Sequence, residues 1–237
     1  MTNSSGRALE KISTLIGQYV SDYQRQLQKI QQMPGGDRII RRIAYSKDEG
    51  QLNDYLAEIR YALVFAALQF QVDIEPFGIK GPDLKITKSD NSAIVEISRF
   101  NKINPGPPML TSDSPELMEY GDIKRDIEKC HDKILSKVRQ IEHRELYAII
   151  AIWNDDEALE DVNCMEAVRR IQREYNTINS PVPLNLSFIL YGSPWISIGR
   201  KQQLYCFPIC NHEQFLLEWQ IKLERSIVSS LLRQIIE

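Results

Sequence analysis

Two strongly apolar runs, separated by an amphipathic segment, most constrain the fold of this chain. Tyr147 to Trp153 is almost uninterrupted in its apolar character, and Leu184 to Tyr191 repeats the pattern. Short apolar runs of this kind are typical of strands covered on both faces, which lie at the centre of a sheet. The segment from Glu160 to Tyr175 between them has the apolar spacing of a helix. The order of strand, helix and strand predicts an α/β fold.

The remaining elements follow from periodicity and from breakers. Apolar residues from Leu9 to Ile30 recur every three or four positions, which predicts one helix that ends near the breaker at residues 34–36. Further helices are predicted over residues 37–49, 51–70, 121–142 and 213–236, and further strands over 72–77, 84–87, 93–97, 195–198 and 203–207. No repeat or compositional boundary divides the chain. We therefore predict a single α/β domain with a central mixed sheet flanked by helices, in which an N-terminal helical segment (1–49) precedes the main body (50–237).

Composition limits the cellular location and the partners that the sequence predicts. The chain has 237 residues, 43% of them hydrophobic and 26% charged, as is ordinary for a globular protein. Four cysteines are too few for a disulfide framework, and no apolar leader or membrane-length run is present, so we predict a cytoplasmic protein without a membrane partner. The amphipathic N- and C-terminal helices offer surfaces for a homodimer. The net charge of −3 weighs mildly against a nucleic-acid partner, although a local basic cleft can occur on an acidic protein.

The chemistry is concentrated in three acidic residues. Asp83 stands at the start of one predicted strand, and Glu96 lies inside the next strand between apolar residues. Glu58 lies in the middle of the preceding helix. A carboxylate in an apolar strand is costly to bury unless it is paired or binds a metal. Two such carboxylates on adjacent strands make a hard-oxygen site that suits Mg²⁺ or Mn²⁺.

At this point the sequence resembles the PD-(D/E)XK, or restriction-endonuclease-like, nuclease superfamily. The resemblance covers about residues 51–100 and extends loosely to residue 153: Pro82-Asp83 stands at the family's PD, Glu96 at its second acid and Glu58 at its helical glutamate. It implies a restriction-endonuclease-like core in which Glu58, Asp83 and Glu96 bind Mg²⁺ or Mn²⁺. It also implies that the protein hydrolyses DNA phosphodiesters, because in the family the metal activates water and stabilises the charge on the scissile phosphate.

One position departs from the family pattern. Ser98 stands where the family has a lysine, and a hydroxyl cannot supply that positive charge. Lys85 is the predicted substitute, because side chains alternate along a strand and Lys85 therefore shares a face with Asp83. A hairpin turn centred on residues 90–91 would place Lys85 directly opposite Glu96, and Ser98 opposite Asp83, with Cβ atoms roughly 4.5–5.5 Å apart.

Other interpretations of the same residues stay open. The fold could be a degenerate nuclease that has lost catalysis and acts as a binding or assembly module, which the absent lysine and the net negative charge favour. The chain could also be an unrelated α/β domain in which Glu96 is held by a structural ion pair. Cys206, Cys210 and His212 lack a fourth ligand and the usual zinc-finger spacing, so we do not predict a zinc site.

Overall fold

A central mixed sheet with helices on both faces forms the protein. The computed structural model describes residues 3–16, 20–78, 81–100, 119–141, 145–155, 161–175, 177, 182–183, 185–192, 204–209 and 218–219. Within these residues it has six strands and six helices, which confirms the predicted single α/β domain with a mixed sheet.

The strands lie in the sheet in the order in which they occur in the chain. They are β1 (Gln71–Ile74), β2 (Leu84–Lys88), β3 (Asn91–Phe100), β4 (Tyr147–Asn154), β5 (Leu186–Gly192) and β6 (Leu204–Pro208). β1, β2 and β3 form an antiparallel meander, β3, β4 and β5 are parallel, and β6 returns antiparallel to β5. The two apolar runs are β4 and β5, and nearly all their residues are buried between strand neighbours and helices on both faces.

The helices divide into two layers around the sheet. They are α1 (Asn3–Ile16), α2 (Val20–Gln31), α3 (Gly36–Ala44), α4 (Glu49–Ala67), α5 (Glu119–Ile141) and α6 (Asp161–Tyr175). The first four share one hydrophobic cluster with one face of the sheet, and α5 and α6 share a second cluster with the other face. Alternate residues of β3 therefore point to opposite layers: Val95 lies in the first cluster, and Ile94 and Phe100 lie in the second.

Two helices occupy the stretch in which the sequence predicts one. α1 ends at Ile16 and α2 begins at Val20, and the two helices pack against each other. The single-helix prediction is therefore wrong. The same apolar stripe is buried in another way, because Ala8 and Ile12 of α1 and Leu27 and Ile30 of α2 all reach the first cluster. Periodicity records which face is apolar, but it does not record where the chain turns back on itself.

The hairpin that joins β2 to β3 turns one residue earlier than predicted, which shifts each cross-strand partner by two residues. Lys88 pairs with Asn91, so Ser89 and Asp90 form a two-residue turn, in which Ser89 has a left-handed φ of 54°. Two-residue hairpin loops favour positive φ, because their twist matches that of the strands. The turn is therefore centred one residue earlier than predicted, and every cross-strand partner shifts.

Several predictions lie outside the described residues. These are the strand over 195–198, most of the helix over 213–236, and the residues Cys210 and His212. Cys130 and Cys164 are buried, and their sulfur atoms lie 3.3 Å apart. No helix in the described part of the chain combines the length and apolarity needed to cross a membrane.

Candidate functional site

The N-terminal end of β2 and the middle of β3 bring Asp83 and Glu96 together. The β2–β3 ladder pairs Leu84 with Val95, and the next position along it places Asp83 beside Glu96. Asp83 accepts a hydrogen bond from the Ile97 backbone N–H through Oδ2 at 2.7 Å. Its carbonyl oxygen accepts one from the Glu75 N–H, also at 2.7 Å, so Asp83 is held by its side chain on one side and by its backbone on the other. The shared face that the odd register predicts is present.

Lys85 does not stand where the sequence argument places it. Its partner in the ladder is Ile94 and not Glu96, because the turn is centred on Ser89 and Asp90. The other neighbour of Lys85 is Asp73 of β1, its partner in the adjacent ladder. The same shift moves Ser98 away from Asp83. The prediction that Lys85 lies directly opposite Glu96, and Ser98 opposite Asp83, is wrong.

A different lysine occupies the place beside Glu96. Lys137 of α5 donates a hydrogen bond from Nζ to Glu96 Oε1 at 2.6 Å, and the side chain of Glu96 is 5% exposed. The lysines of this helix are not among the site residues predicted from the sequence. A signal was present, because Lys133 and Lys137 are spaced i, i+4 and each immediately precedes a residue of the buried stripe, Ile134 and Val138.

Glu58 reaches the same region from α4, which packs on the face of the sheet opposite to α5. It is buried and forms an ion pair with Arg42 of α3 at 3.3 Å. Arg42 also pairs with the buried Glu75, and its guanidinium lies 4.2 Å from the centre of the Tyr55 ring. The two carboxylates share this one arginine, whose pKa is raised: burial alone would lower it, but the Glu58 charge and the contacts with Tyr55 and Glu75 outweigh burial.

All three acids hold their protons more tightly than usual. Burial is the largest cause for each. The pKa of Glu58 is raised well above its ordinary value by burial and then by the charge of Asp83, against the opposing charge of Arg42. Burial and Asp83 raise the pKa of Glu96 to about 7, against Lys137. Burial raises the pKa of Asp83, although the hydrogen bond from Ile97 opposes it.

A cavity of about 390 Å³ is lined by Glu58 and Asp83, and by Lys137, the partner of Glu96, while Glu96 itself does not line it. Its charged lining comprises four cations and three acids, namely Arg42, Arg99, Lys133, Lys137, Asp54, Glu58 and Asp83, and Ser98 lines it as well. Arg99 is 6% exposed and joins α4 to the end of β4 through Asp54 at 2.9 Å and Asp155 at 3.2 Å. The cavity is therefore polar, with carboxylates and cations around the same space, as a site for an anionic substrate and a cation requires.

The oxygens of these acids determine how a cation could be held. No three His, Cys, Asp or Glu side chains in the described part of the chain form a ready metal-binding group. Asp83 uses Oδ2 and Glu96 uses Oε1 in hydrogen bonds, which leaves Asp83 Oδ1 and Glu96 Oε2 for a cation. Both oxygens of Glu58 face Arg42 instead. Two carboxylates with water and a substrate phosphate are a usual ligand set for Mg²⁺, so the donor chemistry fits that ion.

Comparisons with known proteins do not identify this site. No protein-family model, no curated protein and no solved structure matches the chain. The resemblance to the PD-(D/E)XK superfamily stays a prediction that depends on the residues themselves.

Proposed function

We propose that this protein is a metal-dependent nuclease that hydrolyses phosphodiesters of DNA, with Mg²⁺ or Mn²⁺ as its cofactor. The observation that carries the proposal is the pairing of Asp83 with Glu96 beside Lys137. Each acid has one carboxylate oxygen left to bind a cation, and the ammonium beside them supplies the positive charge that Ser98 lacks. A bound Mg²⁺ would activate water and stabilise charge on the scissile phosphate.

Each acidic or basic residue of the site would have its own role in the reaction. Asp83 and Glu96 would hold the cation, since Glu96 is paired with Ile150 in the β3–β4 ladder and Asp83 is held by hydrogen bonds to β3 and to Glu75. Lys137 would take the role predicted for Lys85, because its ammonium lies at Glu96 and its pKa is raised, the Glu96 charge outweighing the lowering effect of burial. Glu58 would act indirectly by positioning Arg42 at the wall of the cavity.

The test of this proposal is cleavage of plasmid and single-stranded DNA in Mg²⁺ or Mn²⁺. We expect the wild-type chain to cleave DNA, and Asp83→Asn, Glu96→Gln and Lys137→Met each to lose at least about 100-fold in rate, since general acid–base and charge-stabilising groups typically contribute factors of this size or more. The matched control is Lys85→Met. Lys85 lies on the same hairpin but faces Ile94, so its removal should leave cleavage within about twofold of the wild-type rate.

The outcomes separate the proposal from its alternatives. Loss of cleavage in Lys85→Met together with full activity in Lys137→Met would contradict the assignment of Lys137. No cleavage of DNA by the wild-type chain with either metal would contradict the nuclease proposal itself.

A catalytically degenerate module that binds nucleic acid is the second candidate. The observation that favours it is that each of the three acids already has a partner within the protein: Arg42 for Glu58, the Ile97 N–H for Asp83 and Lys137 for Glu96. Such a module would bind DNA in a salt-dependent manner without cleaving it. DNA binding that Glu96→Gln leaves unchanged, with no cleavage by the wild-type chain, would favour this candidate.

A further inference from the structure

Ser98 has a buried hydroxyl without a hydrogen-bond partner. The residue is 6% exposed, it lines the cavity, and its Oγ has no partner among the described residues. A buried polar group left unpaired costs about 1–3 kcal/mol, so such groups normally have a partner that completes them. This hydroxyl therefore points to a ligand in the cavity.

Lys133 lines the cavity without an ion pair among the described residues, and Asp54 is the acid whose charge acts on it. Its Nζ donates to the Arg99 carbonyl oxygen and lies 5.2 Å from the centre of the Phe100 ring, and no carboxylate of the described chain lies within ion-pair distance. The other cations of the cavity each have an acidic partner: Arg42 has Glu58 and Glu75, Arg99 has Asp54 and Asp155, and Lys137 has Glu96. An ammonium has three donors, so Lys133 keeps two for a ligand.

The two lysines and the serine lie in a row along one face of β3. α5 runs antiparallel to the strand here, because Lys137 contacts Glu96 and Lys133, one helical turn earlier, contacts residue 99. Ser98 shares the face of Glu96, since side chains two apart on a strand point to the same side. Ser98 lines the same cavity as both lysines, and along β3 it stands between their contacts at residues 96 and 99. The Cβ atoms of the two lysines are roughly 5–6 Å apart at this helical spacing.

We infer that Ser98 Oγ and Lys133 Nζ form a subsite for the phosphate next to the scissile one on the same strand. The inference rests on the proposed function, in which the two acids hold the cation and the scissile phosphate lies at that cation beside Lys137. A phosphate oxygen accepts hydrogen bonds from both a hydroxyl and an ammonium, and its charge neutralises Lys133. Displacement by one helical turn from Lys137 suits a neighbouring phosphate. The substrate is therefore a polynucleotide strand, and not an isolated phosphodiester.

Dinucleotides test this subsite without any need for cleavage. The ligands are TpT, which has one phosphate, and pTpT and TpTp, which have a second phosphate at one end or the other. Binding is measured by NMR titration in Ca²⁺, which supplies a divalent charge on oxygen ligands with looser coordination than Mg²⁺. We expect the wild-type chain to bind one of the two-phosphate ligands about tenfold more tightly than TpT, as a charge-assisted contact predicts.

The variants show which residues produce that preference. Ser98→Ala and Lys133→Met should bring the tighter ligand close to the affinity of TpT while leaving TpT unchanged, and Lys133→Arg should keep most of the preference. Lys85→Met is the control and should behave as the wild-type chain. Equal weakening of TpT and the two-phosphate ligands, an unchanged preference in both variants, or binding of none of the three ligands would overturn the inference.

The result also separates the subsite from the nuclease proposal. A Lys133-dependent preference for two phosphates in a chain that never cleaves DNA would support the subsite and reject the nuclease. Cleavage of DNA at the wild-type rate by Lys133→Met, with no change in dinucleotide preference, would reject the subsite and keep the nuclease.

Discussion

Burial, repulsion from Asp83 and an ion pair with Lys137 all act on Glu96. It lies in a strand between apolar residues, it is 4% exposed, and its contacts within the protein are Lys137 and the nearby Asp83. Burial and Asp83 raise its pKa from 4.5 to about 7, so near neutral pH the residue is divided between its two protonation states. A cation that replaces the proton would bind more strongly as the pH rises through this range.

The raised pKa of Glu96 makes stability depend on pH. The folded state binds this proton more tightly than the unfolded state, so the contribution is most favourable below about pH 4.5 and is lost as the pH rises to 7. At about 1.4 kcal/mol per pH unit the loss is roughly 3 kcal/mol. We expect urea unfolding in EDTA to show a fall in the free energy of unfolding over this range, and Glu96→Gln to reduce that fall by about 3 kcal/mol.

A half-buried acid of α6, away from the candidate site, provides the control for this experiment. Glu166 of α6 is paired with Arg173 and Arg169, and the hydrogen bond from Arg173 is the first cause that lowers its pKa. Its pKa shift is opposite in direction to that of Glu96, so Glu166→Gln should not reduce the loss of stability as the pH rises towards 7. A Glu96→Gln protein with the wild-type slope would contradict the assignment of the proton to Glu96.

At the scale of elements, the turn before α3 determines where two arginines meet the sheet. Gly35 has a φ of +79°, and a Cβ placed there would overlap the carbonyl oxygen of Ile74 at the end of β1. Arg38 donates to that same carbonyl at 2.7 Å, and Arg42 follows one turn later to reach Glu58. The close approach of this turn to β1 thus orients α3 toward the acids.

Gly35→Ala should therefore destabilise the protein, through both backbone strain and the overlap with Ile74. We expect a loss of roughly 2–4 kcal/mol in urea unfolding, because a left-handed conformation costs of order 1–3 kcal/mol and the strand must also move. Gly78 is the matched control: it has a φ of +80° but nothing lies within 4 Å of its would-be Cβ. Gly78→Ala should show the strain alone, about 1 kcal/mol. Equal losses in the two variants would contradict a role for the overlap.

At the scale of the whole molecule, the N-terminal helices belong to the main core. Seven buried apolar residues from the first 49 positions lie in the same cluster as α4 and one face of the sheet: Ala8, Ile12, Leu27, Ile30, Ile39, Ile40 and Ile43. The segment also supplies Arg42, the ion-pair partner of Glu58. The boundary at residue 49 therefore marks a change of elements within a continuous core.

Removal of residues 1–49 should abolish cooperative folding. Truncation exposes the covered face of α4 and leaves Glu58 and Glu75 buried without Arg42, and an uncompensated buried charge alone costs about 3–5 kcal/mol. Native domains are stable by only about 5–15 kcal/mol. We expect circular dichroism to show no sharp thermal transition for residues 50–237. A cooperative transition in the truncated chain would show that 50–237 is a domain in its own right.

The sequence alone determined the fold class and the placement of Asp83 and Glu96 on one face of the sheet. Apolar runs such as Tyr147 to Trp153 need burial on both faces, so they predict central strands wherever they occur in the chain. The side-chain period of two places Asp83 and Glu96 on one face for any hairpin of odd register. Both conclusions depend on local sequence patterns, which can be recognised without knowledge of the tertiary contacts.

The tertiary structure alone decided which cation serves the acids. A turn that is centred one residue earlier moves the partner of Lys85 from Glu96 to Ile94, and periodicity does not encode the position of the turn. Lys137 is 41 residues from Glu96, and only the packing of α5 against β3 brings the two together. Arg42 reaches Glu58 because α3 follows a turn that touches β1. Which charged side chains form pairs depends on how the helical layers pack against the sheet. That packing cannot be deduced from the order of residues along the chain.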